Sequence, residues 1–270
     1  MPDFAWGPDD DTRLAAIRDD LAAVSTATAC QLLVLRGWRN PYMQGLLPLQ
    51  PLGVGHRLMG RARTCRYLMR REPEGPPDPV ARRRSAEIVL IESIAAGDVF
   101  LVDALGVPTA GIIGDILATR LQARGAVAAV IHGAVRDVPY VREVGLPVFA
   151  ASIHPSASGR DLVAVDYDLP IDMAGAQVLP GDIILADDDG VLAMPLALAE
   201  LVAAHGPEKE RLEAWIRGKI AAGGSVHDYY PPSPAKLAEY TAETGQRIAA
   251  DPYRQTPATA TGTDHEASAT

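Results

Sequence analysis

Helical spacing of apolar residues occurs at both ends of the chain. Near the start, one buried helix face is formed by residues three or four positions apart: Leu14, Ile17, Leu21 and Val24. This spacing predicts one or two helices over residues 12–36, with Ser25 or Thr26 as the N-cap of the second. Similar spacing predicts a helix over 81–96 and two C-terminal helices over 196–218 and 234–250.

Short apolar runs alternate with helical segments in the middle of the chain. The runs 100–104, 126–133 and 146–152 are predicted to be buried strands. The segments 114–125 and 138–145 between them are predicted to be helices. Strands that alternate with helices favour βαβ units with right-handed crossovers and a largely parallel sheet. The fold class is therefore α/β.

Strand patterns also occur on both sides of this region. Residues 52–70 predict a strand, 71–80 form a loop with four prolines, and the chain from 160 to the C-terminal helices has β character. The pattern predicts four parts: a flexible lead-in (1–11), an α/β domain (12–220), a C-terminal helical extension (221–254) and a disordered tail (255–270).

The composition excludes several classes of protein. The chain has 270 residues with 25 basic and 34 acidic side chains, for a net charge of −9. An acidic chain is a poor non-specific ligand for nucleic acid or for an anionic membrane surface. The sequence has two cysteines, so it is not a disulfide scaffold. It has no uncharged apolar run long enough to span a bilayer and no signal-peptide core, which predicts a cytoplasmic protein without membrane attachment.

The segment 111–137 contains the most informative chemistry. A glycine-containing loop opens a helix at Asp115, and the first N–H groups of a helix form an anion site. One strand later, Arg136 and Asp137 stand together. Arg136 offers a planar cation for a carboxylate or enolate oxygen, and Asp137 offers a hard oxygen ligand for Mg²⁺ or Mn²⁺. This set suits a small 2-oxo acid.

Other interpretations of these residues remain open. Arg136 and Asp137 can be a solvated pair, and Asp115 can serve as a helix N-cap. A nucleotide-binding fold would place Asp137 on a ribose about 20 residues after the loop. However, the glycines between residues 106 and 114 do not spell GxGxxG, and that fold gives Arg136 no role.

The spacing between Asp115 and the Arg136-Asp137 pair resembles the motif of a known family. Gly114-Asp115-Ile116-Leu117, followed by twenty residues between Asp115 and Arg136-Asp137, is similar to the Asp-x20-Arg-Asp motif of the RraA-like family. That family includes metal-dependent 4-hydroxy-4-methyl-2-oxoglutarate aldolases and the regulator of ribonuclease activity. Further segments, such as LATRLQARGAVAAVIHGAVRD, resemble the family in the same order over roughly residues 20–220.

The resemblance implies a fold and an assembly. The fold is an RraA-like swivelling α/β domain, here with βαβ units and a C-terminal helical extension. Family members form trimers or hexamers with sites between subunits. Trp215, Tyr229 and Tyr230 in the C-terminal extension offer apolar surface for such an assembly.

The resemblance also implies roles for individual residues. Substrate is bound through the main chain of Gly114, Asp115, Ile116 and Leu117. Arg136 binds substrate and stabilises the enolate, Asp137 ligates Mg²⁺, Mn²⁺ or another divalent metal, and Asp115 orients a water on that metal. His132 stands where many members have Asp. Family aldolases use an acidic group from a neighbouring subunit, and the candidates by region are Glu208, Glu210 and Glu213.

The implied activity is that of a class II type lyase. It would cleave a small 4-hydroxy-2-oxo acid to pyruvate and would also decarboxylate oxaloacetate, because both reactions pass through the same enolate. Two alternatives are a non-catalytic binding protein similar to the ribonuclease regulator, and another enolate enzyme such as a sugar-acid dehydratase.

Overall fold

The computed structural model describes residues 6–71 and 78–248. The first part of the predicted lead-in, most of the proline-rich loop and the predicted tail 255–270 lie outside the described residues. The helices are α1 (Asp10–Ala22), α2 (Thr26–Leu35), α3 (Pro79–Arg82), α4 (Ala86–Ser93), α5 (Asp115–Arg124), α6 (Val138–Val144), α7 (Leu196–Ala221), α8 (Val226–Tyr229) and α9 (Pro234–Thr244).

The strands fall where apolar runs predicted them, with additional short strands between. They are β1 (Leu47–Pro48), β2 (Leu58–Met69), β3 (Asp98–Asp103), β4 (Gly111–Ile113), β5 (Ala128–Val135), β6 (Val148–Ile153), β7 (Leu162–Tyr167), β8 (Ile171–Met173), β9 (Ala176–Val178), β10 (Ile183–Asp187) and β11 (Gly190–Met194).

The main sheet is mixed. Its order is β1-β6-β5-β3-β2-β10-β11, with β4 paired to β5 and β7 paired to β2. The pairs among β2, β3, β5 and β6 are parallel, as the βαβ pattern predicted. The flanking strands β1, β7, β10 and β11 pair antiparallel, so the predicted parallel character holds only for the centre.

The two ends of this sheet approach each other. The segment before β1 bridges to β11, because the Met43 N–H donates to the Val191 carbonyl and the Ala193 N–H donates to the Pro41 carbonyl. The strand β1 itself pairs with β6 at the opposite end of the strand order. The sheet is therefore nearly closed into a barrel.

Both faces of the central strands are buried, which explains their continuous apolar runs. On one face, Phe100 and Ile131 pack against α4, α5 and α6. On the other face, Leu101 and Val130 pack against the β8–β9 hairpin. These contacts fix the ends of β4 and β5 and the starts of α5 and α6, where the predicted site residues lie.

Helices at the two ends of the chain cover the antiparallel part of the sheet. Leu21 of α1, Leu33 of α2 and Val202 of α7 pack against Leu185 and Leu192 of the β10–β11 pair. The N-cap of α2 is Ser25, whose side chain accepts a hydrogen bond from the Thr28 N–H, as the sequence predicted.

The C-terminal helices form a small cluster of their own. Trp215 of α7 makes edge-on ring contacts with Tyr229 and Tyr240 at centroid distances of 5.6 and 5.5 Å. Much of the aromatic surface assigned to subunit contacts in the sequence analysis is thus used within one chain. Among the described residues, no helix has the length and apolar character needed to cross a membrane.

Candidate functional site

The strand β4 brings the two halves of the predicted site together. It pairs in parallel with the end of β5, with Gly111 opposite Ala134 and Ile113 opposite Val135. The Arg136 N–H then donates to the Ile113 carbonyl at 3.0 Å. The start of α5 therefore lies beside Arg136, although twenty residues separate them in the sequence.

Gly114 permits the close approach of these segments. Its φ of −129° is open to any residue, so backbone strain does not require glycine here. A Cβ atom at this position would lie 2.4 Å from Asp137 Oδ2 and 3.3 Å from Arg136 Nε. The missing side chain is what allows the Asp137 carboxylate to lie against the α5 N-terminus.

Asp115 is the first residue of α5, and Gly114 is its N-cap. The Asp115 side chain makes no capping hydrogen bond, so the interpretation of this residue as an N-cap is wrong. The Gly114 carbonyl accepts from the Ala118 N–H, which leaves the N–H groups of the first turn, those of Asp115, Ile116 and Leu117, without a partner in the helix. These groups and the helix dipole favour an anion.

Arg136 and Asp137 form an ion pair at the mouth of the site. Arg136 Nε lies 3.3 Å from Asp137 Oδ2, and the two side chains are 40% and 38% exposed. Asp137 has a φ of 53°, a left-handed conformation that Asp tolerates better than most residues. Its carbonyl starts α6 by accepting from the Tyr140 and Val141 N–H groups.

A cleft of about 280 Å³ lies at this junction. Its wall includes all of the predicted substrate-binding residues: Gly114, Asp115, Ile116, Leu117 and Arg136. Asp137 lies at the edge of the cleft through its contact with Arg136. The arrangement offers an anion site, a fixed guanidinium and two carboxylates within one small volume.

Two cleft residues had no role in the sequence analysis. Arg82 of α3 and Ser158 of the 3₁₀ turn Ser158–Arg160 line the cleft from segments distant in sequence. The run of three arginines at 82–84 was the one available signal, but it is also typical of a solvated helix start. Only the packing of the α3 and 3₁₀ segments shows that Arg82 lines the cleft, rather than belonging only to a solvated helix start.

His132 lies outside this cleft. Its Nδ1 atom is 3.4 Å from Asp103 Oδ1, and its carbonyl accepts from the Ala104 and Gly106 N–H groups. The ring also fills the space beside Gly106, where a Cβ atom would come within 3.0 Å of Nε2. His132 therefore supports the turn after β3.

The three glutamates considered for completing the site of a neighbouring subunit, Glu208, Glu210 and Glu213, lie on α7. Glu210 accepts hydrogen bonds from the Ser25 N–H and hydroxyl. Burial opposes its ionisation, but these hydrogen bonds outweigh burial and lower the pKa of Glu210. Glu213 pairs with the buried Lys209. Glu210 and Glu213 are thus engaged within their own chain.

The donor set fits a hard divalent cation held loosely. Within residues 6–71 and 78–248, no cluster of three or more His, Cys, Asp or Glu side chains surrounds a common point. Asp137 offers an exposed carboxylate against the Gly114 backbone, and Asp115, the next residue after Gly114, offers a half-buried one. Such a site matches Mg²⁺, which keeps most of its waters and takes one or two carboxylates.

The part of the chain that contains this site matches a known protein family. A family model described as RraA-like, Aldolase/RraA, matches residues 21–193, which is more than half of the chain. The chain belongs to the RraA-like family. The motif that carried the resemblance in the sequence lies within the matched region, and so do the nearly closed sheet and the cleft.

RraA-like relatives have diverse names. The chain is 31% identical to protein DlpA of Legionella pneumophila over 182 residues. This aligned region covers 67% of this chain and 28% of DlpA. It is 36% identical over 106 residues to the 4-hydroxy-4-methyl-2-oxoglutarate aldolase of Thermus thermophilus, covering 39% of this chain and 64% of the aldolase. The chain thus spans less than two thirds of these relatives.

A solved structure supports the same family fold. Streptomyces coelicolor RraAS2 is described as an unusual member of the RNase ES inhibitor RraA protein family. It superposes with a TM-score of 0.67 at 30% identity, covering 75% of this chain and 96% of that chain. RraA-like proteins that resemble this chain therefore include both named aldolases and a member of a ribonuclease-inhibitor family.

Proposed function

We propose that this protein is a divalent-metal-dependent lyase that cleaves a small 4-hydroxy-2-oxo acid and releases pyruvate. The observation that carries the proposal is the pairing of β4 with β5, which sets the α5 N-terminus and Arg136 around one cleft, with Asp137 in contact with Arg136. The similarity to a named aldolase over 106 residues of this chain supports it.

The protein groups have separate tasks in this reaction. The N–H groups of Asp115, Ile116 and Leu117 bind the substrate carboxylate. The Arg136 guanidinium contacts the 2-oxo oxygen and stabilises the negative charge that develops there. Asp115 positions the water that takes the proton of the 4-hydroxyl.

Bond cleavage then follows a retro-aldol course. The C3–C4 bond breaks as the 4-hydroxyl loses its proton, and C4 becomes a carbonyl carbon. The electron pair stays on C3 as the enolate of pyruvate, and protonation of C3 completes the product. Asp137 would hold Mg²⁺ or Mn²⁺, which supplies Lewis-acid polarisation of the 2-oxo oxygen when bound.

Oxaloacetate decarboxylation tests the same enolate site without the 4-hydroxyl step. We expect the protein to release pyruvate from both oxaloacetate and 4-hydroxy-4-methyl-2-oxoglutarate, measured by coupling to lactate dehydrogenase. EDTA should abolish both activities and Mg²⁺ or Mn²⁺ should restore them. A protein-free sample with the same metal and an Arg136→Ala variant are the controls, because metal ions alone decarboxylate oxaloacetate. Full activity after chelation would exclude the proposed site.

A binding protein that acts on a ribonuclease is the second candidate. The observation that favours it is the likeness to the Streptomyces inhibitor-family structure, of which this chain covers 96%. An RNase E-type cleavage assay separates the two functions. Inhibition that survives Asp137→Asn, without pyruvate release by the unmodified protein, would favour the binding protein over the lyase.

A further inference from the structure

A second cavity borders the candidate active-site cleft. It has a volume of about 190 Å³ and shares Arg82 and Ser158 with the cleft. The segment that carries Ser158 runs along both spaces, because Ala157 lines the cleft and Gly159 lines the cavity. A ligand that extends out of the cleft past these residues would enter the cavity.

Two polar side chains in the cavity wall are almost completely buried. Tyr67 is 2% exposed and Glu87 is 1% exposed. Within the described part of the chain, the Tyr67 hydroxyl and Glu87 Oε1 have no partner that meets hydrogen-bond geometry. The other carboxylate oxygen, Glu87 Oε2, lies 3.7 Å from Arg82 Nη2. Buried polar atoms are normally paired, because an unpaired one has lost its hydrogen bonds to water without replacement.

These two groups act on each other. Burial raises the pKa of the Glu87 carboxyl, and interactions with Tyr67 and Arg82 oppose that rise. The carboxyl group of Glu87 and the phenol of Tyr67 therefore face a common space. Much of the remaining wall is apolar, with Ala81, Leu162 and Val163.

We propose that this cavity binds the distal end of the lyase substrate, and that this end carries a hydroxyl group. The inference rests on the proposed function, since it concerns the far end of the same substrate. One hydroxyl can donate to Glu87 Oε1 and accept from the Tyr67 hydroxyl, which satisfies both unpaired atoms. The apolar wall accommodates the carbon chain that carries it.

A second carboxylate at the distal end fits this cavity poorly. It would place a negative charge beside the Glu87 carboxylate in a mostly apolar space. The two cations in the wall already have partners, because Arg82 is paired with Glu87 and Arg70 is engaged in another interaction. The preferred substrates are therefore 4-hydroxy-2-oxo acids with a hydroxylated, uncharged tail. Cleavage of the C3–C4 bond in such a compound gives pyruvate and a hydroxyaldehyde, with the proton balance described above.

Three uncleavable 2-oxo acids of equal chain length test the proposal by binding alone. They are 2-oxohexanoate, 6-hydroxy-2-oxohexanoate and 2-oxoadipate, which differ only at the sixth carbon and lack the 4-hydroxyl. Titration calorimetry with Mg²⁺ present should show binding of the hydroxy acid about tenfold tighter than of 2-oxohexanoate. The dicarboxylate should bind no tighter than 2-oxohexanoate.

Variants assign the preference to the cavity. Tyr67→Phe should remove the tenfold advantage of the hydroxy acid and leave 2-oxohexanoate binding and oxaloacetate decarboxylation unchanged. Glu87→Gln, which keeps an acceptor oxygen, should retain part of the preference. Tyr240→Phe is the matched control, since Tyr240 is equally buried but lies in α9, away from the cavity.

The outcomes separate this inference from the proposed function. Metal-dependent decarboxylation with equal binding of the three acids, or with tightest binding of 2-oxoadipate, would overturn the hydroxyl site and leave the lyase standing. A preference unaffected by Tyr67→Phe would overturn it as well. Absence of both decarboxylation and 2-oxo acid binding would overturn the lyase, and the substrate pocket with it.

Discussion

Asp115 combines a helix position with a proposed chemical task. Because it is the first residue of α5 and makes no side-chain cap, its carboxylate faces the cleft while its charge still interacts favourably with the helix dipole. The carboxylate contributes little to folding through hydrogen bonds. A substitution here should therefore separate catalysis from stability.

We predict that Asp115→Asn lowers aldol cleavage by on the order of 10²-fold, the usual size of a general-base contribution. Oxaloacetate decarboxylation should fall much less, because it has no 4-hydroxyl proton to remove. Loss of the dipole interaction should cost about 0.3–1 kcal/mol of stability. Coupled assays on both substrates and urea denaturation measure these quantities. Equal losses in the two reactions would contradict the role assigned to Asp115.

Two aspartates in similar turns have different electrostatic surroundings. Asp98 and Asp182 each follow a glycine with φ near 90° and each accept an N–H from three residues earlier, at 2.9 and 2.8 Å. Asp98 also pairs with Arg61 and Arg63. No such cation is paired with Asp182 among the described residues, and burial raises its pKa to about 6.

The raised pKa of Asp182 predicts a stability change with pH. The folded state binds the proton more tightly than the unfolded chain, whose carboxyl has the ordinary value of 3.8. The ionised group thus destabilises the fold above about pH 6, and this cost vanishes below about pH 4. Asp182→Asn keeps the oxygen that accepts from Leu179. It should add on the order of 1–3 kcal/mol at pH 7.5 and almost nothing at pH 4.

Urea unfolding of both proteins at the two pH values measures this difference. Asp98→Asn is the matched control. It leaves Arg61 without its carboxylate and removes one of the two carboxylates paired with Arg63, the other being Asp168. It should destabilise by on the order of 2–4 kcal/mol at pH 7.5. If the two substitutions destabilise the protein equally at pH 7.5, the ionised Asp182 carboxylate does not destabilise the fold, and the assignment of its raised pKa to burial is wrong.

At the scale of elements, the junction of β4, β5 and α5 determines the site. A three-residue strand has little intrinsic stability, and β4 is held by its pairing with β5 and by the Gly111 N–H, which donates to the Ser156 carbonyl at 2.7 Å. The position of α5 relative to Arg136 therefore depends on close backbone contact. A side chain added at this junction should therefore reduce activity strongly while it reduces the stability of the fold only moderately.

We predict that Gly114→Ala lowers both activities at least 10²-fold, because the new Cβ atom displaces Asp137 and Arg136 from the cleft. The cost in stability should be about 1–3 kcal/mol. Gly218→Ala is the control, since Gly218 lies on α7 with no atom within 4 Å of its Cβ position. That change should leave activity intact and stabilise α7 by roughly 0.5–1 kcal/mol. Normal activity of Gly114→Ala would contradict the proposed geometry.

At the scale of the whole molecule, three exposed apolar side chains lie on the segments that form or follow the strands of the site. Ile116, Tyr140 and Ile153 lie near the carboxyl ends of the parallel strands and are 75%, 62% and 58% exposed. Large exposed apolar side chains near a polar cleft are typical of a protein interface. These side chains fit the expected assembly, in which sites lie between subunits.

We predict that the protein forms a trimer or a multiple of it, and that Ile153→Asp shifts it to smaller species with lower activity. A charge at a buried contact is expensive, whereas the same charge on a free surface costs little. Val226→Asp is the control, because Val226 is 55% exposed on α8 of the C-terminal extension. Light scattering at micromolar concentration gives the mass. A fully active monomer would contradict the assembly.

The sequence by itself determined the elements whose signals are local. Helical spacing marked α1 and α2, apolar runs marked β3, β5 and β6, and Ser25 marked the start of α2, because periodicity and capping depend on residues within a few positions. The motif from Gly114 to Asp137 was also visible, since its spacing lies within one βαβ unit.

Only the tertiary structure decided which distant residues meet. The antiparallel flanks and the near closure of the sheet depend on pairing between strands more than a hundred residues apart, such as β2 with β10. The same holds for the cavity in which Tyr67, Glu87 and Ser158 converge. Local patterns favour a helix or a strand but do not specify its partner. That choice follows from burying all apolar faces at once, so it belongs to the complete fold.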